Sequence, residues 1–272
     1  MRDRTVDELS ILDERAFRRV DLYRDLKEIL RKNGYSFRVL PGKAVRWDRA
    51  LLLNLTFWGG AGGDVLDREP VAADVLMHAA WHCLAARAFA APAGSRPSIE
   101  SLFFGESIAS AFDIYLVGRL LTWGGKSSFL ETQVSAMAET ASAAGLSKDG
   151  FGRLLRDVAA APERSFGDLQ ALLFDVTVAL ASCRGAEEGL AVLVRFEDHR
   201  FASLLHHYEL SNWVLFARAQ GGKANRPDRR VRAVEKALRA SEMPLAWLAS
   251  HWIAPALQRA RTSRSRASAG IL

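Results

Sequence analysis

Two helix-length, largely apolar stretches constrain the fold of this chain more than any other feature. Residues 71–91 and 99–121 are dominated by apolar side chains, and a loop between Pro92 and Pro97 separates them. A helix that is apolar on every side needs to be covered by protein or by lipid. No apolar run reaches the roughly 18 residues that a membrane span requires. The two stretches therefore predict the buried centre of a soluble helical protein.

Apolar residues at helical spacing predict further helices along most of the chain. Residues 6–33 are typical of one or two amphipathic helices ending near Asn33-Gly34, and a short strand is predicted at 35–40. Later helices are predicted near residues 129–144, 148–160, 166–183, 187–196, 200–219, 229–241 and 244–261. We expect a mainly α fold with at most a minor strand element in the N-terminal third. One multi-helix domain would cover residues 1–261, followed by a disordered basic tail at 262–272.

The charge of the chain is unevenly distributed. It has 37 basic and 31 acidic residues, which gives a formal net charge of +6. The excess lies between Arg218 and Arg266, and the rest of the chain is slightly acidic, which disfavours a body built for nucleic acid. The segment from Lys223 to Arg239 is predicted to be a solvated helix face. Binding of an acidic partner there is the alternative.

The cysteines and the N-terminus bear on location. Cys83 and Cys183 are the only cysteines in the sequence, and each lies in an apolar, helix-like run. They are predicted to be buried free thiols in a reducing compartment. The first residues lack the apolar core of a secretion signal. We therefore expect a cytoplasmic protein that does not enter the membrane.

Two histidines in the first apolar stretch are the strongest sign of chemistry. His78 and His82 lie four residues apart, so a helix places both imidazoles on one face, where they can chelate one ion. Burying two imidazoles without partners in such an apolar helix would be costly. The next stretch brings a carboxylate at its start, Glu106, and another two turns later, Asp113. The residues predict a divalent-metal site at His78, His82 and Glu106; the alternative is a pair of structural histidines.

The same residues resemble the active-site helix pair of the thermolysin-like zinc metallopeptidases, the gluzincins. In that family a His-Glu-x-x-His helix supplies two ligands and a glutamate on a later helix supplies the third. His78, His82 and Glu106 stand in the same order, with 24 positions from the second histidine to the glutamate. The resemblance implies a zincin-like helix pair that holds a metal ion.

The chain departs from the gluzincin pattern at the general base. The glutamate that directly follows the first histidine in that family, and that moves protons during hydrolysis, is Ala79 here. Ser110 stands where an aspartate is usual one turn after the third ligand, although Asp113 could substitute for it. The resemblance then implies a metal cage without the peptidase machinery. The chain is also loosely similar to peptide-modifying hydroxylases that carry a His-x-x-x-His helix, although these generally retain the glutamate.

A two-histidine, one-carboxylate set with open positions is also the facial triad of non-haem Fe(II) oxygenases. We therefore expect a metal-dependent enzyme with one divalent ion, Fe(II) or Zn, that acts on a peptide or a small molecule. An oxygenase or hydroxylase is favoured over a peptidase because of Ala79. Two alternatives stay open: a catalytically inactive helical interaction protein, and a zinc hydrolase whose base comes from elsewhere in the chain.

Neighbouring polar residues are expected to support the metal site. Ligating histidines usually donate their second N–H to a carboxylate or a carbonyl. Asp74, one turn before His78, and Asp113 are the predicted acceptors. Trp81 lies between the two histidines in sequence and is expected to pack beside them.

A second histidine cluster begins at residue 197. His199 and His206 lie seven residues apart and are predicted to share one helix face. His206 is the preferred catalytic candidate, as a fourth ligand, an acid or an oxyanion stabiliser. Tyr208 is a second catalytic candidate, and Arg200 is expected to bind a substrate carboxylate in a bidentate manner. The alternative is an interhelical hydrogen-bond network.

Overall fold

The computed structural model describes residues 2–40, 62–66, 69–124, 127–222 and 227–258. Helices dominate these residues and the strands are short, which confirms the mainly α class. The α-helices are α1 (Glu14–Phe17), α2 (Tyr23–Lys32), α3 (Ala73–Ala88), α4 (Ile99–Trp123), α5 (Ser128–Ala143), α6 (Lys148–Ala160), α7 (Pro162–Ala181), α8 (Ala186–Val194), α9 (Leu210–Gln220), α10 (Arg229–Arg239) and α11 (Pro244–Leu248). The strands are β1 (Arg2–Thr5), β2 (Ile11–Leu12), β3 (Ser36–Val39), β4 (Asp64–Leu66) and β5 (Val71–Ala72). A 3-10 helix spans Ala202–Tyr208 and a π-helical turn spans Ala249–Ile253.

The chain divides into two compact units, residues 1–88 with 245–272 and residues 89–244. The single domain expected over residues 1–261 stays a prediction. The basic tail expected at 262–272 lies outside the described residues. Within the described ranges, no helix combines the length and the apolarity that crossing a membrane would need.

The first unit combines short strands with helices. β3 lies between β1 and β4 in a three-stranded sheet; it pairs antiparallel with β1 and parallel with β4. The parallel register places Phe37 opposite Asp64. β2 and β5 form a separate parallel pair. The strand predicted at 35–40 is β3, and its pairing with β4 carries Asp64 into the interior of this unit.

Helix α2 is amphipathic, as its sequence predicts. It buries Tyr23, Leu26, Ile29 and Leu30 on one face, and it packs against α3. The chain turns out of the helix at Gly34, whose φ of 61° lies in the left-handed region that favours glycine. The helix therefore ends where the Asn33-Gly34 pair predicts.

Helix α4 is the central element of the second unit. The hydroxyl of Ser98 caps its N-terminus by accepting a hydrogen bond from the backbone N–H of Ser101 at 3.1 Å, and Gly124 ends it with a left-handed φ of 62°. α4 packs against α5, α6, α7, α9 and α10. Since other helices cover it on several sides, its sequence is apolar almost all round. The stretch predicted at 99–121 is thus a core helix.

The two cysteines are free thiols, as predicted. Cys83 on α3 is buried, and burial raises the pKa of its thiol to about 12. Cys183 is only partly buried, so its predicted burial is wrong. It lies two residues after the end of α7, where its side chain is partly exposed to solvent.

A close helix approach at Gly118 provides a test of the packing. A Cβ atom added at Gly118 on α4 would lie 2.6 Å from the backbone oxygen of Val158 and 3.1 Å from the Cβ of Pro162. Gly118→Ala is therefore expected to lower the free energy of unfolding by about 1–3 kcal/mol, because α6 and α7 have to move away. Urea unfolding measures the change.

Gly152 on α6 provides the matched control. A Cβ atom added at Gly152 meets nothing nearer than the Arg156 Nη1 atom at 3.7 Å. Gly152→Ala is expected to raise the free energy of unfolding by about 0.5–1 kcal/mol, because alanine loses less backbone entropy in a helix. Equal stability of the Gly118 and Gly152 variants would contradict the close packing at Gly118.

Candidate metal site

The predicted histidine pair lies on one face of α3. The ring centroids of His78 and His82 are 4.8 Å apart and their planes make an angle of 54°. His82 is 6% exposed, whereas His78 is partly exposed. Trp81, which lies between them in sequence, is fully buried. Its packing against the two imidazoles stays a prediction. The one-turn spacing thus produces the side-by-side arrangement that it predicts.

The predicted carboxylate, Glu106, is buried on α4. It is 6% exposed, and the hydroxyl of Ser110 donates a hydrogen bond to its Oε1 atom at 3.1 Å. Ser110 lies one turn further along the helix, at the position where gluzincins usually have an aspartate. It acts as a donor that orients Glu106, a role that an ionised aspartate does not fill.

The structure brings the three predicted ligands together. One ligand atom from each of His78, His82 and Glu106 lies within 4.8 Å of the others. Two donors bound at about 2.1 Å from one ion are at most about 4.2 Å apart, so side-chain adjustments of less than about 1 Å complete the contacts. Imidazole nitrogens with one carboxylate suit Zn and Fe(II). The cluster therefore fits one divalent metal ion.

A buried carboxylate that the sequence did not predict interacts electrostatically with the two histidines. Asp64, the first residue of β4, is 5% exposed and accepts a hydrogen bond from the hydroxyl of Tyr35. Burial raises the pKa of Asp64, while the bond from Tyr35 and the nearby imidazoles of His82 and His78 act in the opposite direction. The sequence signal is weak: an acid between a glycine-rich segment and an apolar strand.

Asp74, one of the two predicted supporting carboxylates, lies in the first turn of α3. Burial raises its pKa to about 6, although its own backbone N–H and the imidazole of His78 favour the charged form. The supporting role that the sequence predicts for Asp74 stays a prediction. A hydrogen bond between the two side chains stays a prediction.

The raised pKa of Asp74 predicts a pH dependence of stability. Because the folded-state pKa is about 6 and the ordinary value is 3.8, the folded protein binds the proton more tightly than the unfolded chain. As the pH rises from about 4 to about 6, the free energy of unfolding of the wild type therefore falls relative to that of Asp74→Asn. Above about pH 6 the difference between the two proteins stays constant. Urea unfolding in EDTA at pH 4, 5.5 and 7 measures the difference. A difference that stays constant across this range would contradict the raised pKa.

The other predicted supporting carboxylate, Asp113, interacts with Tyr208 within the second unit. Tyr208 is 9% exposed; burial raises the pKa of its hydroxyl, and the charge of Asp113 raises it further. A catalytic role for Tyr208 stays a prediction, as does support of the metal ligands by Asp113.

The helix predicted at 200–219 is wrong in its first half. The structure has a 3-10 helix over Ala202–Tyr208, and α9 begins only after Glu209, whose φ of 48° is left-handed. A 3-10 helix has three residues per turn, so a seven-residue spacing does not keep two side chains on one face. His199, which precedes this helix, and His206 therefore do not share the α-helical face that was predicted.

His206 and Arg200, the remaining candidate residues, have neighbours within the second unit. His206 is exposed and lines a cavity of about 390 Å³ together with Glu197 and Leu146. Arg200 pairs with the carboxylate of Asp168 at 2.8 Å. Its guanidinium already has an acidic partner, so binding of a substrate carboxylate would require exchange of that ion pair.

The basic region from Lys223 to Arg239 is partly engaged in ion pairs. Residues 223–226 lie outside the described part of the chain. On α10, Arg232 contacts the carboxylate of Glu100, and Arg239 pairs with Asp175 at 2.7 Å. These contacts lower the charge available to a partner. Binding of an acidic partner there stays a prediction.

The chain matches no family model, no curated protein and no solved structure. The interpretation of the metal site therefore depends on its own residues and their geometry.

Proposed function

We propose that this protein is a metal-dependent enzyme in which His78, His82 and Glu106 hold one divalent ion. The observation that carries the proposal is the convergence of their ligand atoms within 4.8 Å of one another. Structural zinc sites are closed by four protein ligands, whereas catalytic sites use three and leave a position for substrate or water. Among the residues that the structure describes, three supply the converging donors, and a three-residue set favours catalysis over a structural metal.

The proposed reaction is oxygenation or hydroxylation of a peptide or small molecule. Two histidines and one carboxylate are the ligands of non-haem Fe(II) oxygenases. When bound, Fe(II) would supply the activation of O₂: one oxygen atom enters a substrate C–H bond, and the other leaves as water with two protons and two electrons from a reducing co-substrate. The protein would fix Glu106 through the Ser110 hydroxyl and keep water away from the buried His82.

The residue next to His78 argues against peptide hydrolysis. Ala79 is 3% exposed and presents only a methyl group, where the resemblance to gluzincins leads one to expect a glutamate. Hydrolysis needs a group that accepts a proton from water and delivers it to the leaving nitrogen. A methyl group does neither, and Glu106 is assigned to the metal.

A zinc hydrolase with a base from elsewhere is the second candidate, and Asp64 is the observation that favours it. This carboxylate is buried and interacts with the imidazoles of His82 and His78. It belongs to a different element from the base in gluzincins. Assays with zinc and with iron separate the two reaction classes.

The test compares metal-free protein reloaded with Fe(II) or with Zn. Oxygen consumption in the presence of ascorbate and cleavage of casein are followed side by side, with His82→Ala at the same metal concentration as the control. We expect oxygen consumption that requires iron and exceeds that of the control. Zinc-dependent casein cleavage by the wild type would overturn the assignment to oxygenation and favour the hydrolase.

A further inference from the structure

Asp64 is held in place by contacts within the first unit. It lies opposite Phe37 in the parallel pairing of β3 with β4, and the hydroxyl of Tyr35, just before β3, donates a hydrogen bond to its Oδ2 atom. Both residues are buried, Tyr35 to 2% exposure and Asp64 to 5%. A buried carboxylate is costly unless donors or positive charge surround it. The hydroxyl of Tyr35 supplies one hydrogen bond, which compensates the carboxylate only in part.

Two imidazoles on α3 also favour the charged form of Asp64. Asp64 interacts electrostatically with His82 and His78, the two predicted metal ligands, and with the Cys83 thiol on the same helix. It is not among the three residues whose ligand atoms lie within 4.8 Å of one another. Asp64 therefore acts on the two histidines electrostatically and lies outside the set of three converging ligand atoms.

The charge of the metal site explains why a second carboxylate is placed there. A divalent ion held by two neutral imidazoles and one carboxylate keeps one positive charge. In a buried environment that charge is costly without a counter-charge. Asp64 supplies one further negative charge, so the ion, Glu106 and Asp64 together are neutral.

We propose that Asp64, fixed by Tyr35, is the outer carboxylate of the metal site and raises its affinity for divalent ions without binding the metal directly. The proposal depends on the proposed metal site at His78, His82 and Glu106. Asp64 is a positioning residue: it acts on the ion through the histidines and through its charge. Partners of this kind typically change metal affinity by about 10–100-fold.

A second tyrosine–carboxylate pair in the same unit provides matched controls. The hydroxyl of Tyr23 donates to the Oε1 atom of Glu14 at 3.1 Å, and the ammonium of Lys27 donates to the same oxygen at 2.6 Å. No histidine contributes to the pKa shift of Glu14. Glu14→Gln and Tyr23→Phe therefore remove the same kinds of groups from a pair on which neither predicted histidine ligand acts.

The experiment measures Co(II) affinity by competition with a chromophoric chelator, together with the visible absorption of the bound Co(II). Asp64→Asn is expected to bind Co(II) about 10–100-fold more weakly than wild type, and Tyr35→Phe more weakly by a smaller factor. The Co(II) band is expected to keep its shape, because the ligands are unchanged. Glu14→Gln and Tyr23→Phe are expected to keep the affinity of the wild type.

Each contrary result has a separate meaning. Wild-type affinity in Asp64→Asn, combined with loss of binding in His82→Ala, overturns the role of Asp64 and leaves the metal site standing. A changed Co(II) band in Asp64→Asn also overturns it, because Asp64 would then be a ligand. If Asp64→Asn does not fold, as judged by circular dichroism in EDTA, then Tyr35→Phe decides, and wild-type affinity in that folded variant overturns the proposal. A wild type that binds no Co(II) contradicts the metal site itself.

Discussion

Glu106→Gln is expected to lower the affinity for Fe(II), Zn or Co(II) by more than about 100-fold, beyond the range that outer partners of a metal site produce. The amide is neutral and a poor ligand for these ions, and Glu106 is the one carboxylate among the three proposed ligands. The metal-free variant is expected to be as stable as the wild type or more stable, because Glu106 is a buried carboxylate. Isothermal titration and urea unfolding in EDTA measure the two quantities.

Glu100 on the same helix provides the matched control for Glu106. It is 9% exposed, and its carboxylate accepts hydrogen bonds from the Arg232 Nε atom at 3.1 and 3.2 Å. Glu100→Gln is expected to lower the free energy of unfolding by about 1–3 kcal/mol, because the Glu100 carboxylate is buried while its partner Arg232 is partly exposed. Its metal affinity is expected to stay that of the wild type. A loss of metal affinity in both variants would mean that α4 responds as a whole and that Glu106 has no special role.

The zinc-loaded natural chain is expected to cleave casein at no measurable rate. Ala79 removes the general base, and general acid–base catalysis typically contributes about 10²–10⁴-fold. The variant Ala79→Glu restores a carboxylate beside His78, and an increase in cleavage is expected only where a substrate cleft exists. In the iron-loaded protein the same substitution is expected to reduce oxygen consumption, because the added side chain crowds the open positions of the ion.

Ala79→Gln is the control for the size of the side chain. It fills the same space as glutamate without a group that accepts a proton, so it is expected to reduce oxygen consumption and to leave casein cleavage absent. Zinc-dependent cleavage by the natural sequence at a rate comparable to that of Ala79→Glu would contradict the argument from Ala79. Asp64 would then be the first candidate for the base.

Helical periodicity was sufficient to predict the elements that carry the ligands. The four-residue spacing of His78 and His82 depends only on the geometry of one helix, and the apolar surroundings of Glu106 predict that its carboxylate is buried. Such local patterns persist in the fold because packing on all sides stabilises α3 and α4. The convergence of the three groups was expected because polar groups inside largely apolar helices usually have a partner.

The contacts that the sequence did not predict are those between distant segments. Asp64 meets Tyr35 because β4 pairs with β3, and nothing in either segment alone specifies that pairing. The sequence also did not predict the 3-10 helix before α9, for a local reason. The spacing of the buried residues there also suits an α-helix: Phe201, Leu204, Leu205 and Tyr208. The left-handed backbone at Glu209, which separates this segment from α9, cannot be predicted from that spacing.

If His78, His82 and Glu106 hold a metal ion, the metal content of the protein shows it most directly. The protein is expressed without a metal-affinity tag in medium supplied with iron and zinc, and its elements are quantified after gel filtration. We expect about one iron or zinc per chain in the wild type and less than about a tenth of that in His78→Ala and His82→Ala. Wild-type protein without stoichiometric metal, or histidine variants that retain it, would contradict the proposed metal site and favour structural histidines in a helical interaction protein.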